Sequence, residues 1–266
     1  MTTPLLILGA GKMGTALIRG WTRVGLGPIT AVEPNPSEAL KETCVKIVPS
    51  LEMVPPGHWR AAVVALKPHI VRAEASKLAS IAAGGTLMIS IAAGTDTDLL
   101  HRAWGDAAAI VRVMPNTPGA IGRGISGLYA VPGVSAEDRS FAETLISAIG
   151  QTVWLDKEAL IDAVTAVSGS GPAYIFALVE ALAKAGEAVG LSREAAARLA
   201  RATVTGAGAL LDADQRETAA LIRDVATPGG TTEAALKVLQ ASDGLPGVME
   251  EAVTAAKARA EELARS

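Results

Sequence analysis

A glycine pattern at the start of the chain constrains the fold more than any other feature. The apolar run Pro4-Leu5-Leu6-Ile7-Leu8 leads into Gly9-Ala10-Gly11-Lys12-Met13-Gly14, and a helical pattern follows. A G-x-G-x-x-G sequence between a strand and a helix is typical of dinucleotide-binding turns. Gly9 permits the tight turn, Gly11 lets a pyrophosphate approach the backbone, and Gly14 lets the helix pack closely on the strand. Without a ligand the segment would be an ordinary glycine-rich turn, and its context favours the bound dinucleotide.

The composition is that of a globular protein with a substantial core. The chain has 266 residues, half of them apolar, which is enough for one large domain or two smaller ones. Its 24 basic and 27 acidic side chains give a net charge of −3 and no reason to expect a nucleic-acid partner.

The chain also carries signals about its compartment. Cys44 is the only cysteine, so no disulfide forms within the chain, and a reducing cytoplasm is expected. The first strand begins within five residues and leaves no room for a signal peptide. The longest uncharged stretch, residues 163–179, contains Ser168-Gly169-Ser170-Gly171-Pro172 and predicts an interrupted buried helix, not a membrane span.

The first half of the chain alternates strands and helices. Strands are predicted at residues 4–8, 29–33, 45–48, 61–66, 86–91, 109–114, 126–131 and 152–155, with helices at 12–24, from 37 and at 135–149. This alternation predicts a doubly wound α/β sheet. Three strand ends carry the segments 67–69, 92–94 and 115–118, at the edge where such sheets bind ligands. Glu33 ends the second strand, close to where an acidic side chain meets an adenosine ribose.

The second half contains only helical patterns. Helices are predicted at residues 159–167, 172–189, 193–211, 217–225, 232–239 and 246–264. Ser192 is placed to begin the third of these and Gly190 to end the second. The domains are therefore predicted as 1–155, which binds the dinucleotide, and 156–266. Because the helical half is apolar on several faces, it is expected to bury surface against a second copy.

Two motifs of the helical half could carry chemistry. Residues 227–232, Thr-Pro-Gly-Gly-Thr-Thr, precede a helix and suit a carboxylate, although an ordinary capped loop explains them equally well. Residues 168–174 form either a helix junction or a ligand contact. His58, His69 and His101 lack the spacing of metal ligands, so no metal is expected, and Lys184 is interpreted as a solvated helix residue.

Six segments together resemble the pyrroline-5-carboxylate reductase family along essentially the whole chain. They are residues 9–14, 66–69, 90–94, 112–118, 167–174 and 227–232. The resemblance implies a Rossmann domain, then a helical substrate-binding domain that interlocks into a homodimer and often assembles into a decamer. It also implies that hydride passes from NAD(P)H to the C=N carbon of pyrroline-5-carboxylate, giving proline, a reaction that needs few acids or bases because the imine can enter protonated.

The resemblance assigns roles to particular residues. The glycine turn and the end of the second strand already predict the cofactor-binding residues Gly9, Ala10, Gly11, Lys12, Met13, Gly14, Glu33 and Asn35. To these the resemblance adds Ala65, Leu66, Lys67, Pro68, Ala92, Ala93 and Asn116, the last near the nicotinamide. The substrate-binding residues would be Thr227, Gly230, Thr231 and Thr232. The hydroxyl of Thr232, the expected catalytic residue, would lie at the ring nitrogen, with backbone N–H groups on the carboxylate.

The chain differs from the family pattern at a position that bears on the choice between NADH and NADPH. Family members often carry small hydroxyl or basic residues after the second strand, whereas this chain has Glu33 and Asn35. A carboxylate accepts hydrogen bonds from ribose hydroxyls and repels a 2′-phosphate, so NADH is predicted to be used at least as well as NADPH.

Two other functions remain open. A β-hydroxyacid dehydrogenase, or another imine reductase, shares the two-domain plan, but the dehydrogenase pattern has Lys and Asn on the long helix, where residues 172–179 have neither. A non-catalytic dinucleotide sensor is the third possibility, and the presence of both Asn116 and the 227–232 segment argues against it.

Overall fold

The computed structural model describes residues 3–265, and an eight-stranded sheet forms its framework. The strands are β1 Leu5–Leu8, β2 Ile29–Val32, β3 Lys46–Val48, β4 Ala61–Val64, β5 Leu87–Ser90, β6 Ile110–Met114, β7 Gly124–Ala130 and β8 Gly150–Trp154. The helices of this half are α1 Lys12–Arg23, α2 Glu38–Lys41, α3 Pro68–Glu74, α4 Ala79–Ala83, α5 Thr97–Trp104 and α6 Ala136–Ser147.

The sheet confirms the doubly wound α/β class. Its strand order is β3-β2-β1-β4-β5-β6-β7-β8, and every neighbouring pair is parallel except β6 and β7. The chain turns from one side of β1 to the other between β3 and β4, so the strand order reverses at β1. Ligands bind open sheets at such a switch point, beyond the carboxyl ends of the strands. The glycine turn after β1 therefore lies at the expected ligand edge.

The two faces of the sheet are covered by different helices. Leu5 and Ile7 of β1 face a core that includes Trp21 of α1 and Leu145 of α6, whereas Leu6 and Leu8 face a core that includes Trp104 of α5. This alternation follows from the two-residue period of a strand. The indole N–H of Trp21 donates to Leu145 O at 2.8 Å, and that of Trp104 donates to Ala75 O at 2.9 Å. Each large side chain is thus packed and hydrogen-bonded.

Some local features differ from the sequence prediction. The segment Lys67-Pro68-His69, for which no helix was predicted, begins α3, with Lys67 as N-cap and Pro68 as the first helical residue. Proline suits that position because its ring fixes a helical φ and its missing N–H would have no partner there. Strand β7 begins at Gly124, two residues earlier than predicted.

The remaining helices confirm the predicted all-helical second half, since every described element after Trp154 is helical. They are α7 Leu160–Val164, a π-helical turn Thr165–Gly169, α8 Gly171–Ala188, α9 Arg193–Ala213, α10 Thr218–Val225, α11 Thr231–Leu239 and α12 Leu245–Arg265. Ser192 caps α9 by accepting from Ala195 N–H at 3.3 Å, as expected.

The chain separates into two compact units, and the division differs from the boundary predicted near residue 155. The sheet unit extends to Ser170 and includes the end of α12 from Ala256, whereas the helical unit comprises residues 171–255. α7 belongs to the sheet unit because it packs on β7: a Cβ added to Gly127 would lie 2.8 Å from Val164. The end of α12 contacts the loop after β5, where Arg72 Nη2 donates to Gly94 O at 3.0 Å and to Leu263 O at 2.9 Å.

The helical unit has almost no core of its own. α8 contains no buried residue, and α9 buries only Ala196 and Ala200. Phe176 of α8 is 68% exposed. Taken together, residues 160–188 are long and apolar enough to cross a membrane by length and composition alone. A helix that is apolar on several faces needs a cover, which either a bilayer or another protein chain can supply.

Candidate cofactor and substrate sites

The glycine turn between β1 and α1 has the geometry of an anion site. Gly9 adopts φ +86°, and a Cβ added there would lie 2.7 Å from Ala65 O. A Cβ on Gly14 would lie 2.2 Å from Gly9 O, whereas one on Gly11 would meet nothing within 4 Å. Gly11 is the N-cap of α1, and neither a side-chain cap nor an acidic residue occupies its first turn. The helix N–H groups are therefore available to a pyrophosphate.

Glu33 is held beside this turn. Its Oε2 accepts a hydrogen bond from Ala10 N–H at 2.9 Å, and its Oε1 accepts one from Asn35 N–H at 3.1 Å. Thr15 Oγ1 donates to Ala10 O at 2.7 Å and fixes the same residue from the other side. The carboxylate of Glu33 is thus anchored to the backbone at the ligand edge of the sheet and does not turn into solvent.

A cavity of about 550 Å³ opens between α1 and the loop after β2. It is lined by five of the predicted residues, Ala10, Gly11, Lys12, Glu33 and Asn35, together with Thr15, Ala16, Arg19, Ser37, Ala39 and Ala120. The sequence prediction missed Arg19, whose Nη2 lies 3.0 Å from Glu42 Oε2. Its spacing from Lys12 and Thr15 on one face of α1 was the available signal. The positively charged side chains of Lys12 and Arg19 therefore line the same cavity as the carboxylate of Glu33.

A second, apolar cavity of about 280 Å³ lies on the other side of the glycine turn. Gly9, Val32 and Leu66 line it together with Val71 and Leu78. Leu66 is the one residue of the predicted 65–68 cofactor segment that reaches this cavity; Ala65 instead continues the β1 ladder by donating to Leu8 O at 2.8 Å. Mostly apolar walls beside an anion site suit the flat base of a nucleotide.

Asn116, predicted near the nicotinamide, follows β6 at the ligand edge. Both polar groups of its side chain form hydrogen bonds with the protein backbone. Its Oδ1 accepts from Ile125 N–H at 3.0 Å, and its Nδ2 donates to Ser168 O at 3.2 Å. Asn116 therefore ties the π-helical turn to the end of the sheet. Ala92 is buried at the neighbouring strand end, and Ala93 is exposed beside it.

A buried ion pair near these strand ends was not predicted. The guanidinium of Arg112, 5% exposed, donates from Nη1 to Glu158 Oε1 at 2.8 Å. Thr97 N–H donates to the same oxygen at 2.8 Å. Burial raises the pKa of the nearby Asp162 carboxyl, and the charge of Arg112 opposes that rise. A single arginine inside the apolar strand β6 was the signal for such a partner, because a buried charge requires one.

The 227–232 segment forms a tight turn in the helical unit. Gly230 N–H donates to Thr227 O at 3.0 Å, with Pro228 second in the turn and Gly229 third at φ +72°. Proline followed by a residue of positive φ is the requirement of a type II turn. Gly230 is the N-cap of α11 and no side chain caps it. Within the described chain, the N–H groups of Thr231 and Thr232 consequently have no intramolecular acceptor.

Glu233, which the prediction also missed, closes this turn. Its Oε2 accepts from Gly229 N–H at 2.6 Å. Its place at the third residue of the helix was the signal, since Glu often folds back over the helix start from there.

The sheet topology and the glycine turn define a dinucleotide-binding protein with a Rossmann domain, and the helical unit contains a separate uncapped turn at the start of α11. Comparison with known proteins identifies its family. Residues 158–263 match the family model for pyrroline-5-carboxylate reductase dimerisation, and residues 4–94 match that for NADP oxidoreductase, coenzyme F420-dependent.

The similarity to individual relatives extends along nearly the full length of both chains. The chain is 42% identical to a pyrroline-5-carboxylate reductase of Pseudomonas aeruginosa over 99% of this chain and 98% of that protein. A reductase structure from Coxiella burnetii superposes with a TM-score of 0.91 at 34% identity and covers 99% of each chain. A Plasmodium falciparum structure with NADP bound has a TM-score of 0.82 at 27% identity and covers 98% of each chain. The chain belongs to the pyrroline-5-carboxylate reductase family, and its cofactor is NAD(P)H.

Proposed function

We propose that this protein reduces L-1-pyrroline-5-carboxylate to L-proline with NAD(P)H, the last step of proline biosynthesis. The observation that carries the proposal is the uncapped turn at residues 227–232, which presents free N–H groups at the start of α11. A dinucleotide site alone defines only the hydride donor, whereas this turn has the chemistry of a carboxylate site.

The chain's own groups suffice for binding and orienting such a substrate. The N–H groups of Thr231 and Thr232 would hold the carboxylate, assisted by the positive end of the α11 dipole, and Thr227 and Gly230 shape the turn. The half-buried Thr232 carries the hydroxyl that would orient the ring nitrogen. The nicotinamide supplies the hydride. Because the imine can arrive protonated, the protein's contribution is mainly alignment.

On this proposal the second half of the chain, residues 156–266, is the substrate-binding and dimerisation domain. A second copy of this chain, instead of a bilayer, would cover the exposed apolar faces of α8 and its neighbours, consistent with the dimerisation family that matches residues 158–263. Further assembly into a decamer and a cytoplasmic location complete the proposal.

Turnover measurements with purified protein test the reaction. We expect oxidation of NADH and NADPH with pyrroline-5-carboxylate, formation of proline, and no loss of rate with a chelator. The six-membered homologue of the imine, assayed in parallel, separates this activity from a broader imine reductase. An NAD(P)H oxidation rate that does not change when the imine is omitted would reject the reaction. Cofactor binding without turnover would favour the sensor.

A further inference from the structure

Glu233 folds back over the turn that precedes α11. Its Oε2 accepts from Gly229 N–H at 2.6 Å, and its Oε1 lies 3.4 Å from Lys237 Nζ. In a capping box, a Glu at this helix position binds the N–H of the N-cap residue. Here the N-cap donor, Gly230 N–H, is already bonded to Thr227 O at 3.0 Å. Glu233 therefore reaches one residue further, to the middle of the turn.

The bonded N–H belongs to the peptide between Pro228 and Gly229, which is the central peptide of the turn. Type I and type II turns differ mainly in the orientation of that peptide. Gly229 has no Cβ to oppose either orientation, and the Pro228-Gly229 sequence favours type II without excluding type I. The bond from Gly229 N–H to Glu233 holds the central peptide in the orientation observed, with Gly229 at φ +72°.

The same contact leaves the helix N–H groups available. Glu233 binds Gly229 instead of the first helical residues, and among residues 3–265 no acceptor receives the N–H groups of Thr231 and Thr232. A carboxylate that capped the helix directly would compete with an anionic ligand for those donors. Glu233 thus stabilises the turn without filling the site.

We propose that Glu233 is a positioning residue for the substrate: by binding Gly229 N–H it fixes the 227–230 turn and so orients the N–H groups that receive the substrate carboxylate. The inference rests on the proposed function, which places that carboxylate at this turn. A role in carboxylate binding alone affects KM for the imine and leaves kcat and the KM for the cofactor unchanged.

Three variants of the full-length protein test this role. E233A loses the hydrogen bond, and KM for pyrroline-5-carboxylate is expected to rise about 10-fold with kcat within about twofold. E233Q retains an oxygen that accepts from Gly229 N–H, so its KM should return to within about threefold of wild type. K237A removes only an exposed ion pair and serves as the control, with a KM within about twofold of wild type.

Calorimetric titration with L-proline gives a readout that does not depend on turnover, and E233A should weaken proline binding by a similar factor. An E233A protein with unchanged or lower KM overturns the inference, and a lower KM would mean that the carboxylate competes with the substrate. E233Q as impaired as E233A also overturns it, because charge instead of the hydrogen bond would then matter. Absence of turnover in the wild type rejects the proposed function itself, and the proline titrations still decide the role of Glu233.

Discussion

The two compact units bury apolar side chains to very different degrees. In the sheet unit, Leu5, Leu6 and Ile7 of β1 are all fully buried, as are Leu17, Ile18 and Trp21 of α1. In the helical unit, α8, α10 and α11 contain no buried residue. Phe176, Leu178 and Leu182 of α8 remain 68%, 46% and 42% exposed. One chain completes the core of the first unit but not that of the second.

The difference in burial indicates that the two units have different roles. A sheet covered on both faces can hold a cofactor turn rigidly because its strands are fixed by their own core. The helical unit has apolar faces that a single chain leaves in water, and this is unfavourable unless a second copy covers them. Cofactor binding should therefore depend on the sheet unit alone, whereas stability of the helical unit should depend on assembly.

The largest effect is expected from a charge placed on α8. F176E puts a carboxylate on a face that the partner is expected to bury, and an unpaired buried carboxylate costs more than about 3 kcal/mol. That corresponds to more than about 100-fold in dimer affinity. Light scattering should report a smaller mass, and turnover should fall in parallel.

V24E provides the matched control for this prediction. Val24 is 56% exposed at the end of α1 in the sheet unit. The same charge there should leave mass and turnover unchanged. A wild-type protein that is an active monomer at micromolar concentration would contradict the expectation that a second copy covers the helical unit.

A second prediction separates the two roles of glycine within the sheet unit. A Cβ on Gly14 would lie 2.2 Å from Gly9 O, whereas one on Gly11 would meet no described residue within 4 Å beyond its chain neighbours and its own helix. G14A should therefore lower the free energy of unfolding by about 1–3 kcal/mol and weaken cofactor binding. G11A should lower stability less than G14A, because it only replaces glycine by a poorer N-cap residue. It should weaken cofactor binding by a similar amount, because its methyl group enters the space of the pyrophosphate. Thermal denaturation and calorimetry distinguish them, and equal destabilisation of both variants would contradict the assignment.

The sequence predicted the repeating features of the fold well. Strand β1, the glycine turn and α1 follow from local signals, namely an apolar run, three glycines at fixed spacing and a helical period. The helices of the second half follow from the same periodicity and from Ser192 as a cap. Helices α3, α4 and α5 were not predicted.

Features that depend on tertiary contacts could not be predicted from the sequence. The end of α12 belongs to the sheet unit, where Arg72 donates to Leu263 O, and no local sequence pattern predicts that contact. Asn116 was assigned to the ligand edge, yet its partner Ser168 lies far along the chain. The anchoring of Glu33 on Ala10 N–H likewise joins two segments that only the sheet brings together. Local patterns predict elements, and side-chain partners follow from how those elements pack.

The third prediction concerns the turn of the helical unit. T232A removes the hydroxyl expected at the ring nitrogen and should cost about 1–3 kcal/mol of transition-state stabilisation, or roughly 10- to 100-fold in kcat/KM. Cofactor affinity should barely change, because the glycine turn belongs to the sheet unit. T232S retains a hydroxyl and should recover most of the activity. Equal activity of T232A and wild type would show that the Thr232 hydroxyl has no role in catalysis.

The last prediction concerns a smaller effect within the sheet unit, the choice between NADH and NADPH. Glu33 is held at the cavity beside the glycine turn by Ala10 N–H and Asn35 N–H, where its charge would repel a 2′-phosphate. Arg19 and Lys12 line the same cavity and oppose that repulsion. We expect NADH to be used at least as well as NADPH, since Glu33 is anchored whereas the guanidinium of Arg19 already contacts Glu42.

Two substitutions measure these opposing charges separately. E33S removes the repulsion and should shift the ratio of kcat/KM values towards NADPH by about 1–2 kcal/mol. R19A should shift the ratio in the opposite direction by a smaller amount, because the Arg19 side chain is half exposed and its charge is screened by solvent. Steady-state kinetics with both cofactors give the two ratios. A wild type that prefers NADPH more than tenfold, with a ratio that E33S leaves unchanged, would show that Glu33 does not select the cofactor. If R19A then removed that preference, Arg19 would be the selecting residue.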